Sequence, residues 1–222
     1  MRRSRLIIVC GVPGSGKSTF ALQAADRWGA IRFASETFAE QMGAAARTVS
    51  GDLSKAAIAH AYEAMEVAVK DAFVTHKLVV AVGSFRSEAQ RSQFRDAAIG
   101  SGAHVTTLRI VCPIDTAAAR IRSRLALGEQ GPTKQAIAEI DDALNRATDI
   151  DLVLTNDSSI PDLHRRTDAV MQVFAFASNH NVPSAVMLQQ FKALASKDPE
   201  AIVLGPAAAE QASVLICETT IT

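Results

Sequence analysis

The chain has 222 residues, of which 48% are hydrophobic, and this is enough to bury the core of one domain of ordinary size. Its 23 lysines and arginines balance 23 aspartates and glutamates, so the overall charge argues against a polyanion-seeking surface, and a nucleic-acid partner is not indicated. The apolar run that follows the basic N-terminal residues, Leu6 to Cys10, is too short for a signal peptide or a membrane span. We therefore expect a cytoplasmic protein with no membrane partner.

Cysteines and histidines give no sign of a disulfide framework or of a metal site. The three cysteines, Cys10, Cys112 and Cys217, are odd in number and far apart, and the first two lie in apolar runs. We expect buried free thiols in a reducing compartment. The five histidines are also dispersed, without the paired spacing of metal ligands.

The order of apolar runs and amphipathic stretches predicts an α/β fold. Runs of strand length alternate with helical periodicity, which favours strand–helix–strand units, a five-stranded parallel sheet and helices on both faces in three layers. The predicted strands are 5–10, 31–34, 78–82, 105–112 and 151–154. The first predicted helix follows the first strand and ends at Trp28. The others are 53–75, a helix from Ser84 or Ser87 to Ile99, one that includes Ala117 to Leu125, 133–147 and 160–176.

A change of character follows the last predicted helix. Residues 178–183 have the composition of a linker, and the remainder holds a short helix and two apolar runs, 201–204 and 214–217. These runs could pair with the edge of the sheet or with another subunit. Residues 179–222 are therefore expected to be a C-terminal extension through which a homo-oligomer could form.

The stretch GVPGSGKST at residues 11–19 lies between the first strand and the first helix, and it satisfies the phosphate-loop pattern of glycine, four residues, glycine, lysine and serine or threonine. Glycines let backbone N–H groups converge on a polyphosphate, and the helix adds its unpaired N–H groups and its positive dipole end. The fold class is therefore a P-loop NTPase sheet. The residues expected to bind ATP are Gly11, Pro13, Gly14, Ser15, Gly16, Lys17, Ser18 and Thr19.

Three side chains of this loop have expected roles. Lys17 can reach the β- and γ-phosphates, and the Ser18 hydroxyl is placed to ligate Mg²⁺. Thr19 is expected to face the α-phosphate. A chance glycine-rich turn is the alternative, but it does not explain the flanking strand and helix. Guanine specificity is disfavoured, because the sequence lacks the Asp-x-x-Gly switch and the Asn-Lys-x-Asp base reader of GTPases.

From residue 5 to about residue 176 the layout resembles the small P-loop kinases, the AAA-type group that includes gluconate-kinase-like, zeta-toxin-like and polynucleotide-kinase-like phosphotransferases. The resemblance rests on the stretches 11–19, 33–37, 78–94 and 119–124. It implies a kinase-like domain over residues 1–178 with a lid near 125–135. It also implies transfer of the ATP γ-phosphate, with Mg²⁺, to a hydroxyl of a small-molecule acceptor.

The resemblance implies that Glu36, just past the second strand, is the base that orients the acceptor hydroxyl. The same position suits an ordinary first-turn glutamate behind a Ser35 helix cap, and the residues leave both interpretations open. Two positions depart from the family pattern. Ala39 replaces a common arginine, for which Arg47 is only a candidate substitute, and Val82 replaces an aspartate that often holds the magnesium water shell.

Arginines and one asparagine complete the candidate site. Arg120 and Arg124 lie one helical turn apart, and the resemblance implies that they are lid arginines that neutralise phosphate charge; solvated helix arginines are the alternative. Arg86 and Arg91 could face the acceptor pocket, although an exposed helix position is the simpler interpretation of Arg91. Asn156 follows the fifth strand, where adenine binds in this architecture, or it forms a polar turn.

The residues leave two classes of function. The first is an ATP-dependent kinase whose catalytic residues are Lys17, Glu36, Arg124 and Arg120. The second is an ATP-binding protein without transferase activity, a regulatory or interaction module, which the departures at Ala39 and Val82 and the extension favour.

Overall fold

The computed structural model describes residues 4–43, 54–125, 131–180 and 184–208. Within these ranges the strands form one sheet in the order β2-β3-β1-β4-β5-β6. The strands are β1 (Arg5–Cys10), β2 (Ile31–Ala34), β3 (Leu78–Val82), β4 (His104–Val111), β5 (Leu152–Thr155) and β6 (Ile202–Leu204). The first five pair in parallel, as predicted, and β6 adds an antiparallel edge strand.

The described helices lie on both faces of this sheet and confirm the predicted three-layer fold. They are α1 (Lys17–Trp28), α2 (Ser35–Gln41), α3 (Lys55–Ala72), α4 (Glu88–Gly100), α5 (Ile114–Leu125), α6 (Lys134–Asn145), α7 (Ile160–His180) and α8 (Ser184–Lys197). Ser87 begins α4 with a capping box to Gln90, which decides between the two predicted start residues. α7 continues to His180, so the first three residues of the predicted linker are helical, while 181–183 lie outside the described residues.

Two apolar cores lie on opposite faces of β1. Ile7 and Val9 pack with α1 and α7, whereas Leu6 and Ile8 pack with α3 and α4. All four side chains are fully buried, which explains why this strand is apolar throughout instead of alternating. Apolar packing therefore holds the sheet from both faces, and the loops that follow the strands begin from well-fixed strand ends.

The extension adds to the first of these cores. Phe191 of α8 packs against Phe174 of α7 with ring centroids 5.1 Å apart. β6 pairs with β5, which confirms, for residues 201–204, the first of the two alternatives, pairing with the edge of the sheet. Residues 214–217, including Cys217, lie outside the described residues. Cys10 and Cys112 are free and buried, as expected.

No helix in the described ranges is long and apolar enough to cross a lipid bilayer.

Candidate active site

Residues 11–16 form a tight loop at the carboxyl end of β1, between the ends of β3 and β4. The Ser15 N–H donates to the Val12 carbonyl at 3.2 Å, and the Phe20 N–H donates to the Gly16 carbonyl at 3.0 Å, where α1 begins. The loop therefore turns the chain directly from a central strand into the N-terminus of a helix. Unpaired backbone N–H groups and the positive end of the helix dipole are available at that point.

The curvature of the loop requires glycine, most clearly at Gly14 and Gly16. Gly14 and Gly16 have φ angles of 81° and 104°, a region that side chains disfavour. A Cβ on Gly14 would lie 2.6 Å from the Ala117 carbonyl oxygen, and one on Gly16 would overlap the Asn156 side-chain amide. Neighbouring groups therefore pack directly against the outer side of the loop.

Lys17 is buried at the start of α1, with 5% of its surface exposed. Its Nζ donates to the Val12 carbonyl at 2.8 Å. Burial lowers the pKa of Lys17 to about 8, and among the neighbouring charges Glu36 has the largest opposing effect. An ammonium group has three donors, so this buried lysine retains capacity for an anionic ligand.

The serine and threonine side chains of the loop differ in exposure. The Ser15 hydroxyl is buried, and no hydrogen-bond partner for it lies within the described structure. Ser18 is exposed and Thr19 is half-buried at the first turn of α1. A converging loop with a buried lysine, an orphaned hydroxyl and no acidic side chain fits a phosphate group.

Glu36 lies in the first turn of α2 and is exposed to solvent. Its negative charge raises the pKa of Lys17, against the larger effect of burial. The prediction that Ser35 caps this helix is wrong, because Ala34 occupies the N-cap position. The Ser35 hydroxyl is instead hydrogen-bonded to Tyr62, a residue that the sequence analysis did not connect with the site.

Tyr62 connects the segment that carries Glu36 to the loop after β3. Its hydroxyl accepts a hydrogen bond from the Phe85 N–H at 2.9 Å and also bonds to Ser35. Phe85 has a positive φ of 45°, which is rare for a bulky residue. Its ring packs edge-on against Tyr62 and Phe94, with centroids 4.9 and 5.1 Å away. Packing and hydrogen bonding together hold this strained backbone in place.

Arg91 lies inside the protein, so its interpretation as an exposed helix residue is wrong. It is 2% exposed, donates to the Phe85 carbonyl at 2.7 Å and forms an ion pair with Asp149 at 2.6 Å. Burial raises the pKa of Asp149, but hydrogen bonds and charge from Arg91 outweigh burial and lower it overall. Arg91 therefore holds the Phe85 backbone in place through its hydrogen bond to the Phe85 carbonyl. Arg86, in contrast, is exposed at the loop.

The two departures from the kinase pattern have clear structural settings. Val82 is buried in the apolar core beside α1, so the end of β3 presents no polar side chain there. A Cβ on the next residue, Gly83, would lie 2.5 Å from the Tyr62 hydroxyl. Ala39 is buried on α2. The described residues contain no cluster of three or more His, Cys, Asp or Glu side chains that could hold a metal ion.

The two candidate lid arginines occupy different environments. Arg120 is half-buried and donates to the Gly14 carbonyl at 3.2 Å, which brings it to the phosphate loop. Arg124 is exposed, and its charge lowers the pKa of Lys17. Residues 126–130 of the predicted lid, and Arg47, lie outside the described residues.

Asn156 follows β5 and is 3% exposed. Its side-chain amide donates to the Ser15 carbonyl at 2.6 Å, and its backbone N–H donates to the Val111 carbonyl at 2.7 Å. The side chain therefore lies against the phosphate loop and not at an exposed adenine edge. The signal in the sequence was its position directly after the last parallel strand, but the partner is 141 residues away.

With this geometry established, comparison with known proteins places the chain in a family. Residues 6–148, from β1 to the loop after α6, match the family described as AAA domain. The chain belongs to the AAA domain family. No curated protein matches the sequence. β5, Asn156 and the whole extension lie beyond the matched part of this AAA domain protein.

Several solved structures similar to this AAA domain are described as kinases, and their similarity confirms the fold that the resemblance implies. A candidate kinase from Chloroflexus aurantiacus is 21% identical over 78% of this chain and 96% of its own, with a TM-score of 0.59. A gluconokinase from Sinorhizobium meliloti is 17% identical over 82% and 100%, with a TM-score of 0.55. The APS kinase CysC of Mycobacterium tuberculosis, in complex with AMPPNP and APS, is 19% identical over 76% and 97%, with a TM-score of 0.55.

Proposed function

We propose that this protein is an ATP-dependent kinase that moves the γ-phosphate of ATP, in the presence of Mg²⁺, to a hydroxyl of a small molecule. The observation that carries the proposal is the placement of a buried Lys17, in the glycine loop after β1, and an exposed Glu36, after β2, at the same carboxyl edge of the parallel sheet. The kinase fold, and the presence of AMPPNP and APS in one of its structural neighbours, support this proposal.

The phosphate loop would hold the nucleotide. The backbone N–H groups of Gly14 and of residues 16–19, together with the Lys17 ammonium, would contact the phosphates, and the Ser18 hydroxyl would ligate Mg²⁺. Bound ATP supplies the phosphoryl group, and the metal ion neutralises part of its charge. Pro13, half-buried within the loop, restricts the backbone there.

Glu36 would act on the acceptor. Because its carboxylate is exposed at the carboxyl edge of the sheet, an acceptor hydroxyl can reach it from solvent and transfer its proton to a carboxylate oxygen. Lys17, Arg120 and Arg124 would stabilise the negative charge on the equatorial oxygens during transfer. Arg120 is already positioned by its bond to the Gly14 carbonyl.

A matched pair of glutamate variants tests the proposed base. Glu36 and Glu40 are both exposed and lie four residues apart on α2. ADP release is measured with Mg·ATP and a panel of sugars, polyols and nucleosides. We expect Glu36→Gln to lower acceptor-stimulated turnover by about 100-fold or more, with ATP affinity changed less than about threefold. Glu40→Gln should behave as the wild type, and unchanged turnover in Glu36→Gln would refute the assignment.

The second candidate is an ATP-binding protein without transferase activity. It is favoured by Val82, because the buried valine leaves β3 without a carboxylate for the metal water shell. Mg·ATP should raise the melting temperature in either case. Only a kinase should release ADP faster when an acceptor is added, so a flat response across the panel would favour the second candidate.

A further inference from the structure

Asn156 and the C-terminal extension form a support for the phosphate loop that lies outside the family match. We infer that Asn156 is a positioning residue for nucleotide binding and that the extension holds Asn156 in place. This inference rests on the proposed function only in assuming that the loop binds Mg·ATP.

The contact between Asn156 and the loop determines the orientation of one peptide group. The Asn156 amide donates to the Ser15 carbonyl at 2.6 Å, and no described peptide bond is cis. In a trans peptide the carbonyl of one residue and the N–H of the next point in opposite directions. Anchoring the Ser15 carbonyl on the Asn156 side therefore directs the Gly16 N–H to the opposite side of the loop.

Only an amide suits this position. The Ser15 carbonyl oxygen needs a donor, which the asparagine amide provides and an aspartate carboxylate would not. The absence of a side chain at Gly16 leaves room for the amide, because a Cβ there would overlap it. Asparagine and glycine are therefore complementary across this contact.

Backbone bonds from the extension hold the residue before Asn156. The Thr155 N–H donates to the Ala201 carbonyl at 2.7 Å, and the Thr155 carbonyl accepts from Arg166 at 2.7 Å. Arg166 in turn lies 3.7 Å from a carboxylate oxygen of Asp198. The extension thus reaches Thr155 directly through the Ala201 carbonyl and indirectly through the pair of Asp198 with Arg166.

The Gly205 backbone shows how closely the extension approaches β5. Its N–H donates to the Asp151 carbonyl at 2.8 Å, and a Cβ would collide with the backbone carbonyl of Ile150. The extension is therefore seated directly on β5, the strand that Asn156 follows. A continuous set of hydrogen bonds runs from the extension, through β5, to the phosphate loop.

The test measures Mg·ATP binding by calorimetry at a temperature where each variant is fully folded. We expect about tenfold weaker binding for Asn156→Ala and about 100-fold weaker binding for Asn156→Asp, which also brings a negative charge to the loop. Asn179→Ala, at an exposed asparagine near the end of α7, is the control and should bind as the wild type. Asp198→Asn should weaken binding severalfold.

The outcomes separate this inference from the proposed function. A purely structural role for Asn156 would lower the melting temperature and leave the dissociation constant unchanged, and that result would overturn the inference alone. Absence of Mg·ATP binding by the wild type would overturn the proposed function and this inference together. Weaker binding in both Asn156 variants, with normal binding in the control, supports the inference.

Discussion

Lys17 carries a free-energy cost in the nucleotide-free protein. Its ammonium is buried with a carbonyl as its hydrogen-bond partner, and burial lowers its pKa from 10.5 to about 8. Groups with strongly shifted pKa values are typical of functional sites, where binding of a ligand compensates for the unfavourable free state.

The lowered pKa predicts that ATP binding depends on pH. Phosphate oxygens favour the charged lysine, so bound nucleotide should raise its pKa above about 8. Below pH 8 the lysine is already protonated and binding takes up no proton at this group. Above pH 8 binding should take up close to one proton, and affinity should fall by up to about tenfold per pH unit.

Calorimetry at pH 7 and pH 9, in buffers with different ionisation enthalpies, measures this proton uptake. The expected uptake is near zero at pH 7 and larger at pH 9. Equal uptake at both values would contradict the assignment of a shifted pKa to Lys17.

Replacing the buried lysine should separate stability from binding. In the folded state Lys17 has a pKa below its unfolded value, so its protonation opposes folding up to about pH 8, and this cost is relieved as pH rises towards 10.5. We expect Lys17→Met to raise the free energy of unfolding at pH 7 by roughly 1–3 kcal/mol and to abolish ATP binding.

Urea unfolding at pH 7 measures the change, with Lys55→Met as the control. Lys55 is exposed at the start of α3, and its replacement should alter stability by less than about 0.5 kcal/mol. A less stable Lys17→Met protein would show that the lysine contributes to folding and does not oppose it.

At the scale of elements, Tyr62 joins the first turn of α2 to the loop between β3 and α4. Burial raises the pKa of its hydroxyl to about 12, so it remains a neutral hydrogen-bonding group across the physiological range. It accepts from the Phe85 N–H and bonds to Ser35, the residue before Glu36. The first turn of α2 and the loop after β3 are therefore joined through one hydroxyl group.

Tyr62→Phe should weaken this coupling and preserve the aromatic packing. Loss of the hydroxyl leaves the Phe85 N–H without its acceptor, so we expect a destabilisation of about 1–2 kcal/mol. Amide hydrogen exchange should become faster at Phe85 and across residues 35–41, while Mg·ATP affinity stays within about twofold.

Ser35→Ala is the matched comparison, because it removes one of the two bonds to the Tyr62 hydroxyl. Exchange in α2 should then increase while Phe85 remains protected. Unchanged exchange in both variants would show that the loops are held by packing alone.

The sequence predicted elements better than contacts between them. Continuous apolar runs predicted β1 and β3 most clearly, because central parallel strands that are buried on both faces have no polar face. The pairing of β6 with β5 could only be offered as one of two alternatives, since a three-residue apolar strand contains no information about its partner. The phosphate loop was predictable because its chemistry is local to nine residues.

Long-range polar contacts account for most of what the sequence could not predict. Arg91 was interpreted as exposed or as an acceptor ligand, because arginine is rarely buried and its partner Asp149 is 58 residues away. Ser35 suited a helix cap by residue type, but its hydroxyl bonds to Tyr62. The resemblance to kinases gave Glu36 and the arginines their roles, and those roles stay predictions.

At the scale of the whole molecule, one part of the extension packs on the domain, and another role of the extension, in oligomer formation, is a prediction. Residues 184–208 pack on α7 and β5 and complete the sheet. A homo-oligomer contact through the extension stays a prediction. It is supported by the apolar run 214–217 and by the exposure of Val203 on the edge strand β6.

Sedimentation analysis of two chains tests this prediction. We expect the 222-residue chain to sediment as a dimer and a chain ending at Ala208 to sediment as a monomer. The shorter chain keeps β6, so its melting temperature should change little. A monomeric 222-residue chain would rule out the oligomer contact.

The bond between Asn156 and Ser15 also has a consequence for biosynthesis. It joins residues 141 positions apart, so the loop near the N-terminus leaves the ribosome long before its support is made. Contacts of such high sequence separation form late, because the closure entropy of the intervening chain must be overcome first. A nascent chain whose β5 has not yet left the ribosome should therefore have an incomplete nucleotide site. The first binding of ATP would then indicate that the fold is complete.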